Sequence, residues 1–421
     1  MPTPTYRFYV LGTLTTVYTL NYVDQGLITL LLQPIKVDLN LSDTQLGFLT
    51  GVAFALFYAV LGLPIARWAD RGNRVNITAL AVALWGLTVM SSVLVRNFWQ
   101  LLLARIAAAI GESGCMPPTY SLLGDYFPGA GERARAMSIY MLASPLAGLI
   151  SFIGGGRLNE ALGWRMTFFL MGVPALVIAL IVRMTVAEPR ASVAHPAEVH
   201  LAEQPRVLSV LRMLWRQHST RHLVLGLIYL LTMGSGIGAW NSAFMMRTHH
   251  MNTGQLGLWL GLIFGLGGMA GTLLGGIVAA RWYPDNERGQ MRLSALVIGS
   301  LIPWYFVFLL VPDRRVALLS LVPLIMASNF FIGPTFALLQ RLMPDEMRAT
   351  SLAIVLLLGN LIGMGLGPQI VGIASDLLKA QFGEDSLRYA LLAMSFVALG
   401  TGYHFWKAGD FVEGELRCGT G

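Results

Sequence analysis

The stretch PTYSLLGDYFP at residues 118–128 occurs a second time, slightly altered, as PTFALLQRLMP at residues 334–344. Two more pairs have nearly the same spacing: RAMSI (135–139) with RATSL (348–352), and ARW (66–68) with ARW (280–282). The separations are 213 to 216 residues, about half of the 421-residue chain. One short match arises easily by chance, but three at one offset indicate two similar halves.

Composition places both halves in a membrane. The chain is 55% hydrophobic and only 12% charged, whereas soluble proteins carry about twice that charge. Apolar runs of roughly 20 residues, long enough to cross a bilayer, recur throughout. They predict an all-α protein with twelve transmembrane spans, at about 8–32, 46–66, 76–95, 98–124, 135–156, 166–186, 223–245, 255–281, 291–311, 316–341, 349–375 and 388–406.

The spans divide the chain into a six-helix bundle over 1–186, a linker over 187–222 and a second six-helix bundle over 223–421. Both termini are predicted to be cytoplasmic, because this places 19 Lys and Arg on the cytoplasmic side and 9 opposite. Two similar halves joined by a central cytoplasmic linker are the layout of a major facilitator transporter. We therefore expect a multi-pass protein of the cell (inner) membrane.

The linker contains the sequence VLSVLRMLWRQ. In a helix, Leu208, Leu211 and Trp215 lie on one face, and Arg212 and Arg216 lie on another. This pattern predicts a basic amphipathic helix on the membrane surface. A plain solvated linker is the alternative.

Two spans carry charged residues within apolar sequence. LLLARIAAAIGES at 101–113 places Arg105 and Glu112 on one helical face, and span 1 contributes Asn21 and Asp24. A charge facing lipid is costly, so these side chains should face a partner or a wet cavity. Arg105 is expected to pair with Asp24 or Glu112, which leaves one carboxylate able to take a proton. The alternative is a static ion network that fixes helix packing.

Two loops are expected to form a cytoplasmic gate. GLPIARWADRGNR at 62–74 resembles the loop between spans 2 and 3 of the major facilitator superfamily, with Ala66 and Asn73 where glycine is usual. Asn73 can still adopt a left-handed turn. Ordinary positive-inside loop charge is the alternative. The gate residues implied are Asp70, Arg71 and Arg74 in this loop, and Asp125, Arg133 and Arg135 in the loop after span 4.

A narrower resemblance rests on NYVDQG, ADRGNR, LLLARIAAAIGESG and DYFPGAGERARAMSIY, which are similar to segments of the Spinster family. It covers the N-terminal half, whereas the C-terminal half matches only in layout. It implies proton-coupled, alternating-access transport of a lysolipid or sphingolipid-like amphiphile across the inner or plasma membrane. The family's functional acids fall on Asp24 and Glu112, and its span-4 arginine falls on Arg105. Gln25 stands where the family has arginine, which puts that arginine's role in doubt.

Further polar residues lie within the spans, at positions that could face the central cavity. For each of them the two alternatives are contact with the substrate and a hydrogen bond to another helix. These residues are Tyr22, Tyr120, Tyr140, Trp240, Asn241, Asn329 and Asn360. The second half has no clear counterpart to Asp24 or Glu112. A cavity that is charged on one side and apolar on the other suits an amphiphile, and it also suits a hydrophobic cation.

Glycines recur every fourth residue in two spans, at 257, 261 and 265 and at 359, 363 and 367. Small residues at this spacing allow membrane helices to approach closely. Spans 8 and 11 are therefore predicted to make close helix contacts.

Other functions are weighed against transport of an amphiphile. A carrier of small organic anions, sugar acids or drugs would use Arg105 to bind a carboxylate directly. A membrane enzyme is not expected, because the spans hold no nucleophile–base pair. A scaffold is not expected either, because it would not need charged side chains inside the membrane. No cofactor, metal or nucleic-acid partner is expected. The partners expected are the substrate, protons and the lipid bilayer, with the chain acting as a monomer.

Overall fold

The computed structural model describes residues 3–189, 207–284 and 286–419, and within them every regular element is helical. The chain forms two compact units. Unit 1 contains Met1–Val199 and His250–Gly261, and unit 2 contains His200–His249 and Leu262–Gly421. The short segment at 250–261 therefore packs with the first unit although it follows α11 of the second.

Nine α-helices precede residue 190: α1 (Pro4–Leu39), α2 (Asp43–Thr50), α3 (Val52–Arg71), α4 (Arg74–Ser91), α5 (Phe98–Ser113), α6 (Met116–Tyr126), α7 (Ala130–Met141), α8 (Ala143–Leu149) and α9 (Gly155–Thr185). The remaining α-helices of the described residues are α10 (Val207–Arg216), α11 (His218–His249), α12 (Thr253–Leu262), α13 (Gly268–Trp282), α14 (Glu287–Gly299), α15 (Leu301–Leu310), α16 (Arg314–Phe330), α17 (Ile332–Leu342), α18 (Arg348–Leu358), α19 (Gly365–Phe382), α20 (Ser386–Ser395) and α21 (Val397–Gly419).

The helices build the predicted twelve spans. Eight helical stretches of the described residues are long and apolar enough to cross a membrane, and two of these, Gly131–Thr185 and Thr350–Leu416, have 55 and 67 residues and can cross twice. The other two spans carry the buried charges. In order, the spans are α1, α2–α3, α4, α5–α6, α7 to Gly163 of α9, the rest of α9, α11, α12–α13, α14–α15, α16–α17, α18–α19 and α20–α21.

Backbone features outside the apolar runs decide where these helices begin and end. Gly163 has φ 78°, a conformation that glycine adopts without strain, and it separates spans 5 and 6 within α9. Ser42 and Gln45 form a reciprocal capping box that starts α2. Asp313 accepts hydrogen bonds from the backbone N–H groups of Arg315 and Val316 at 2.7 and 3.0 Å and starts α16. Because the capping residues lie outside the apolar stretches, several helices are longer than the spans predicted from hydropathy.

Spans 2, 5, 8 and 11 are each interrupted, and three of the four interruptions are of one kind. Span 2 breaks at Gly51 between α2 and α3. The other three contain π-helical segments, at Ile150–Gly154, Ile263–Gly267 and Gly359–Met364. Each of these spans is the middle helix of a group of three. A π-helical turn widens the helix locally and is frequent at functional sites.

Close packing accompanies these interruptions. A Cβ at Gly363 would lie 2.6 Å from Cβ of Leu231, and one at Gly261 would lie 2.8 Å from Cγ1 of Ile153. Both are shorter than ordinary carbon contacts, so larger side chains would push the helices apart. The close contacts predicted for spans 8 and 11 are confirmed at these two positions.

The helices that carry the buried charges also meet their neighbours at glycine. A Cβ at Gly26, two residues after Asp24, would lie 2.7 Å from Cβ of Ser151 in the π-helical segment of span 5. A Cβ at Gly111, directly before Glu112, would lie 2.7 Å from Cβ of Trp85. The two glycines therefore set how closely α1 and α5 approach their neighbours beside the charged side chains.

An ion cluster around the buried Arg74 joins several elements of unit 1. Arg74, the first residue of α4, is fully buried and pairs with Asp125 at 2.7 Å. Its Nε donates to Oε1 of Glu188 at 3.0 Å, its backbone N–H donates to Oε2 at 2.7 Å, and its Nη1 donates to Oγ of Ser121 at 2.8 Å. We call Arg74, Asp125, Glu188 and Ser121 the Arg74 cluster. It ties α4 to α6 and to the segment after α9.

The loop before α4 corrects one expectation. Asn73 has φ −77° and ψ 107°, and its side chain accepts a hydrogen bond from the backbone N–H of Asn76 at 2.9 Å. It is the N-cap of α4 and not a left-handed turn residue. The extended backbone aims the side-chain oxygen at the free N–H groups of the first helical turn, which a left-handed residue would not do.

The linker contains the predicted helix, α10. Val210 and Leu214 are buried, and α10 packs within unit 2 against α11 and α18. Leu208 is 66% exposed and Trp215 is 52% exposed, while Leu211 is half-buried. One face of α10, with Val210 and Leu214, therefore packs within unit 2, while Leu208 and Trp215 form a separate exposed apolar edge. Its position on the membrane surface stays a prediction.

Replacement of Gly26 tests the close approach of α1. We expect Gly26→Ala to destabilise the protein by about 1–3 kcal/mol, because the added carbon overlaps Ser151 in a packed interface. Thermal unfolding in detergent measures this as a lower Tm. Gly12→Ala is the matched control, since nothing lies within 4 Å of a Cβ at that position of the same helix. Equal Tm values for the two variants would contradict the packing argument.

Replacement of Arg74 tests the Arg74 cluster. Arg74→Ala removes the buried cation that pairs with both Asp125 and Glu188, and it should lower the stability of unit 1 by about 3–5 kcal/mol. Arg71→Ala removes an exposed arginine three residues earlier and should change stability little. The two variants are compared by thermal unfolding and by yield of monodisperse protein. A stable Arg74→Ala protein would show that the cluster does not hold unit 1 together.

Candidate substrate and proton site

Spans 1 and 4 bring Asp24, Arg105 and Glu112 together inside unit 1. Their exposed fractions are 2%, 5% and 0%. Nη1 of Arg105 donates to Oδ2 of Asp24 at 2.5 Å, and its guanidinium carbon lies 5.2 Å from the ring centroid of Phe54. The sequence left open which acid pairs with Arg105. The structure shows that Asp24 does.

Glu112 has no cation in direct contact among the described residues. Its Oε2 accepts a hydrogen bond from Nε2 of Gln25 at 3.1 Å, and its buried Oε1 accepts none from the described residues. Its carboxyl group also shares a side-chain hydrogen bond with the carboxyl group of Asp24, and Arg105 attracts it electrostatically. The group therefore holds one guanidinium and two carboxylates. We call Asp24, Gln25, Arg105 and Glu112 the charge cluster.

Gln25 is a site residue that sequence reasoning treated only as a missing arginine. It lies next to Asp24 in α1, and its amide is the direct partner of Glu112. An amide satisfies one carboxylate oxygen without supplying charge. The sequence drew attention to Gln25 only because the Spinster family has arginine at this position. Its partner Glu112 depends on how α1 packs against α5.

Four tyrosines of unit 1 form one cluster of rings. The rings of Tyr18 and Tyr140 stack at 4.7 Å, Tyr22 meets Tyr18 edge-on at 4.8 Å, and Tyr120 meets Tyr140 edge-on at 5.5 Å. Tyr22 and Tyr58 also interact electrostatically with Glu112. The predicted residues Tyr22, Tyr120 and Tyr140 thus belong to one cluster. Sequence reasoning missed Tyr18 and Tyr58, although Tyr18 and Tyr22 lie one helical turn apart.

Not every polar group near Asp24 has a hydrogen-bond partner among the described residues. Asn21 is buried, and its Nδ2 has no hydrogen-bond partner among the described residues. A cavity of about 10 Å³ borders Asp24 and Arg105, with Thr88, Ser92 and Phe168 in its wall. That volume is at the lower limit for a single water molecule. The ion pair therefore borders a small gap in which the hydroxyls of Thr88 and Ser92 lie among mostly apolar side chains.

The predicted residues of unit 2 do not form a matching site. Trp240 is fully buried, and its Nε1 donates to the carbonyl of Pro368 at 3.1 Å. Nδ2 of Asn329 donates to the carbonyl of Ile325, one turn earlier, at 2.8 Å. Asn241 is buried with Oδ1 unpartnered among the described residues, and Asn360 is exposed within the π-helical segment of span 11. Trp240 thus bonds across to α19, and Asn329 bonds within α16.

The predicted gate residues separate into different environments. Arg74 and Asp125 belong to the Arg74 cluster, whereas Arg71 and Arg135 are exposed. The side chain of Asp70 lies outside the described part of the structure. Glu188 was missed because it follows the predicted end of span 6 and reads as linker.

Arg133 has a different role. It donates to the carbonyls of Phe127 and Gly124, both at 3.3 Å. In the second repeat Arg348 donates to the carbonyls of Met343 and Gln340 at 3.2 and 2.8 Å. These carbonyls occupy the same positions of the two repeats. Arg133, not Arg135, is thus the structural counterpart of Arg348, and both cap the end of the preceding helix.

Comparison with known proteins agrees with this architecture. Residues 14–368 match the family model of the Major Facilitator Superfamily. An MFS-type efflux pump of Mycolicibacterium smegmatis is 34% identical over 383 residues, which are 91% of this chain and 88% of the pump. Protein spinster homolog 1 of Homo sapiens is 26% identical over 428 residues, which are 94% of this chain and 80% of that protein.

Solved structures give the same result. The crystal structure of a bacterial homolog of the human lysosomal transporter Spinster, in an inward-facing and unoccupied conformation, matches with a TM-score of 0.89 and 28% identity. The match covers 98% of this chain and 99% of that one. The chain therefore belongs to the Major Facilitator Superfamily and is a Spinster-like transporter, not an enzyme.

Proposed function

We propose that this transporter moves a lysolipid or sphingolipid-like amphiphile across the inner or plasma membrane, driven by protons through alternating access. The observation that carries the proposal is the charge cluster, in which Arg105 pairs with Asp24 while the neighbouring buried acid Glu112 has no cation in direct contact among the described residues. The similarity to protein spinster homolog 1 of Homo sapiens agrees with the Spinster resemblance from which the lysolipid or sphingolipid substrate is inferred.

The charge count explains why a proton would be coupled to transport. With both acids ionised, the charge cluster has a net charge of −1, which is expensive in a low-dielectric interior. A proton on one carboxyl removes that charge. When the site opens to water, the penalty falls and the proton can leave. Exchange of a proton for substrate at the same place would thus link the two movements.

Location and orientation follow from the same proposal. The distribution of Lys and Arg supports cytoplasmic termini and insertion in the cell (inner) membrane. The chain is proposed to act as a monomer, because the charge cluster is built entirely from spans 1 and 4 of one chain.

A second candidate is export of hydrophobic drugs. The 34% identity to an MFS-type efflux pump of Mycolicibacterium smegmatis favours it. Transport of small organic anions is supported less, because Arg105 would have to exchange Asp24 for a substrate carboxylate. Both candidates use the same site and differ in the substrate that it accepts.

Neutral replacements of the two acids test proton coupling. Purified protein is placed in liposomes under an imposed pH gradient, and flux of a labelled lysophospholipid is followed. Glu112→Gln and Asp24→Asn should each reduce gradient-driven flux to background, because neither amide can exchange a proton. Asp38→Asn, an exposed acid of the same helix α1, is the matched control and should transport normally. Unchanged gradient-driven flux in both test variants would remove the coupling.

A double replacement separates function from a static ion pair. Arg105→Gln alone leaves Asp24 buried and unpaired and should cost about 3–5 kcal/mol of stability. The double variant Asp24→Asn with Arg105→Gln removes both charges and should regain most of that stability, seen as a recovered Tm. Transport should stay absent in the double variant. Recovery of transport together with stability would show that the pair serves packing alone.

A further inference from the structure

Unit 1 has a second concave site, where α1 meets α7. Its walls include Arg7 and Phe8 of α1, Phe127 between α6 and α7, and Glu132 and Arg135 of α7. We call it the Arg7 cavity. Its volume is about 180 Å³, whereas a single water molecule needs roughly 10–15 Å³. The cavity therefore has room for a polyatomic group, and none of its walls belongs to the charge cluster or to the Arg74 cluster.

The Arg7 cavity lies at the depth where lipid headgroups are expected. Span 1 is predicted to begin directly after Arg7, and span 5 is predicted to begin at Arg135. Both arginines thus stand at the boundary between apolar core and water, at the end of unit 1 that is predicted to be cytoplasmic. Tyr9, two residues after Arg7, is 42% exposed, and tyrosine is enriched at this level of a membrane.

Positive charge exceeds negative charge in the Arg7 cavity. Arg7 pairs with Glu132, whereas Arg135 is exposed and has no ion-pair partner among the described residues. Nε of Arg7 is buried and donates to none of the described residues. Two guanidinium groups thus face one carboxylate, and a buried N–H without an acceptor is costly. An anion with several oxygens would supply both the missing charge and the missing acceptor.

The pairing of Arg7 with Glu132 leaves the cavity accessible to such an anion. The side chain of Glu132 is 58% exposed, and an ion pair that water reaches contributes little to stability. Arg7 is held in place from another direction, because its guanidinium carbon lies 4.8 Å from the ring centroid of Phe127. An incoming anion can therefore displace the carboxylate of Glu132 without releasing Arg7 from the wall.

We propose that the Arg7 cavity binds the phosphate group of an anionic membrane lipid, with Arg7 and Arg135 as its ligands. Guanidinium groups bind phosphate oxygens through paired, charge-assisted hydrogen bonds. Phe8, which is 51% exposed beside Arg7, offers an apolar surface to the first carbons of the acyl chains. A zwitterionic lipid binds less tightly, because its ammonium group meets the same net positive charge. The inference is independent of the proposed function, since the charge cluster takes no part in it.

Native mass spectrometry of the full-length protein in detergent measures the lipid bound to it. Phosphatidylglycerol and phosphatidylcholine with the same acyl chains are titrated separately, and the affinities of the first bound lipid are compared. Phosphatidylglycerol should bind about tenfold more tightly, as one additional charge-assisted contact implies. Excess inorganic phosphate should not displace it, because free phosphate has no acyl chains to contact Phe8. Equal binding of the two lipids, or displacement by inorganic phosphate, would overturn the lipid site.

Variants of the cavity walls should change lipid binding in opposite directions. Arg7→Gln and Arg135→Gln should each weaken binding of phosphatidylglycerol about tenfold. Glu132→Gln should tighten it severalfold, because it removes the carboxylate that competes for Arg7. Weaker binding in Glu132→Gln would show that the pair of Arg7 and Glu132 serves packing alone, and it would contradict the assignment.

An arginine outside the cavity is the matched control. Arg183 is exposed in the last turn of α9, and it lies at the same end of unit 1, because the carbonyl of Thr185 accepts a hydrogen bond from Oη of Tyr6 at 2.8 Å. Arg183→Gln should bind phosphatidylglycerol as the wild type does, and Tm values show that every variant is folded. An equal loss of binding in Arg183→Gln and Arg7→Gln would show diffuse attraction of the lipid to basic residues and would remove the site.

Discussion

One guanidinium faces two carboxylates inside a bundle of apolar helices, and the properties of the site depend on that inequality. The guanidinium of Arg105 pairs directly with Asp24, whereas Glu112 bonds to the amide of Gln25 and to Asp24 and has no cation in direct contact among the described residues. Were the numbers of charges equal, the cluster would be a closed ion network with no reason to exchange anything. The unequal count is the feature on which the proposed proton coupling rests.

The surrounding helices hold this cluster in place through close backbone contacts. Gly26 and Gly111 stand beside Asp24 and Glu112, and each meets a neighbouring helix at a distance that excludes a side chain. Spans 2, 5, 8 and 11 are each interrupted, three of them by a π-helical segment. Such segments loosen the regular hydrogen bonding of a helix. The rigid contacts and the irregular turns thus lie next to each other along α1 and span 5.

The two repeats end one helix in the same way but differ in their buried charged side chains. Arg133 and Arg348 both donate to the last carbonyls of the preceding helix. The charge cluster and the Arg74 cluster, by contrast, lie in unit 1, and the predicted polar residues Trp240 and Asn329 of unit 2 bond to backbone carbonyls. The two repeats therefore share an arginine that ends a helix, whereas the charge cluster and the Arg74 cluster both lie in the first half.

The sequence by itself determined the membrane class, the twelve spans, the duplication and the residues Asp24, Arg105 and Glu112, because hydropathy, repeats and the cost of burying charge act along the chain. Tertiary structure alone decided that Arg105 pairs with Asp24, that Gln25 serves Glu112, and that Glu188 completes the Arg74 cluster. Each of these joins residues 81 to 114 positions apart. Spacing along one helix predicts a shared face, but the partner across the interface depends on how two helices pack.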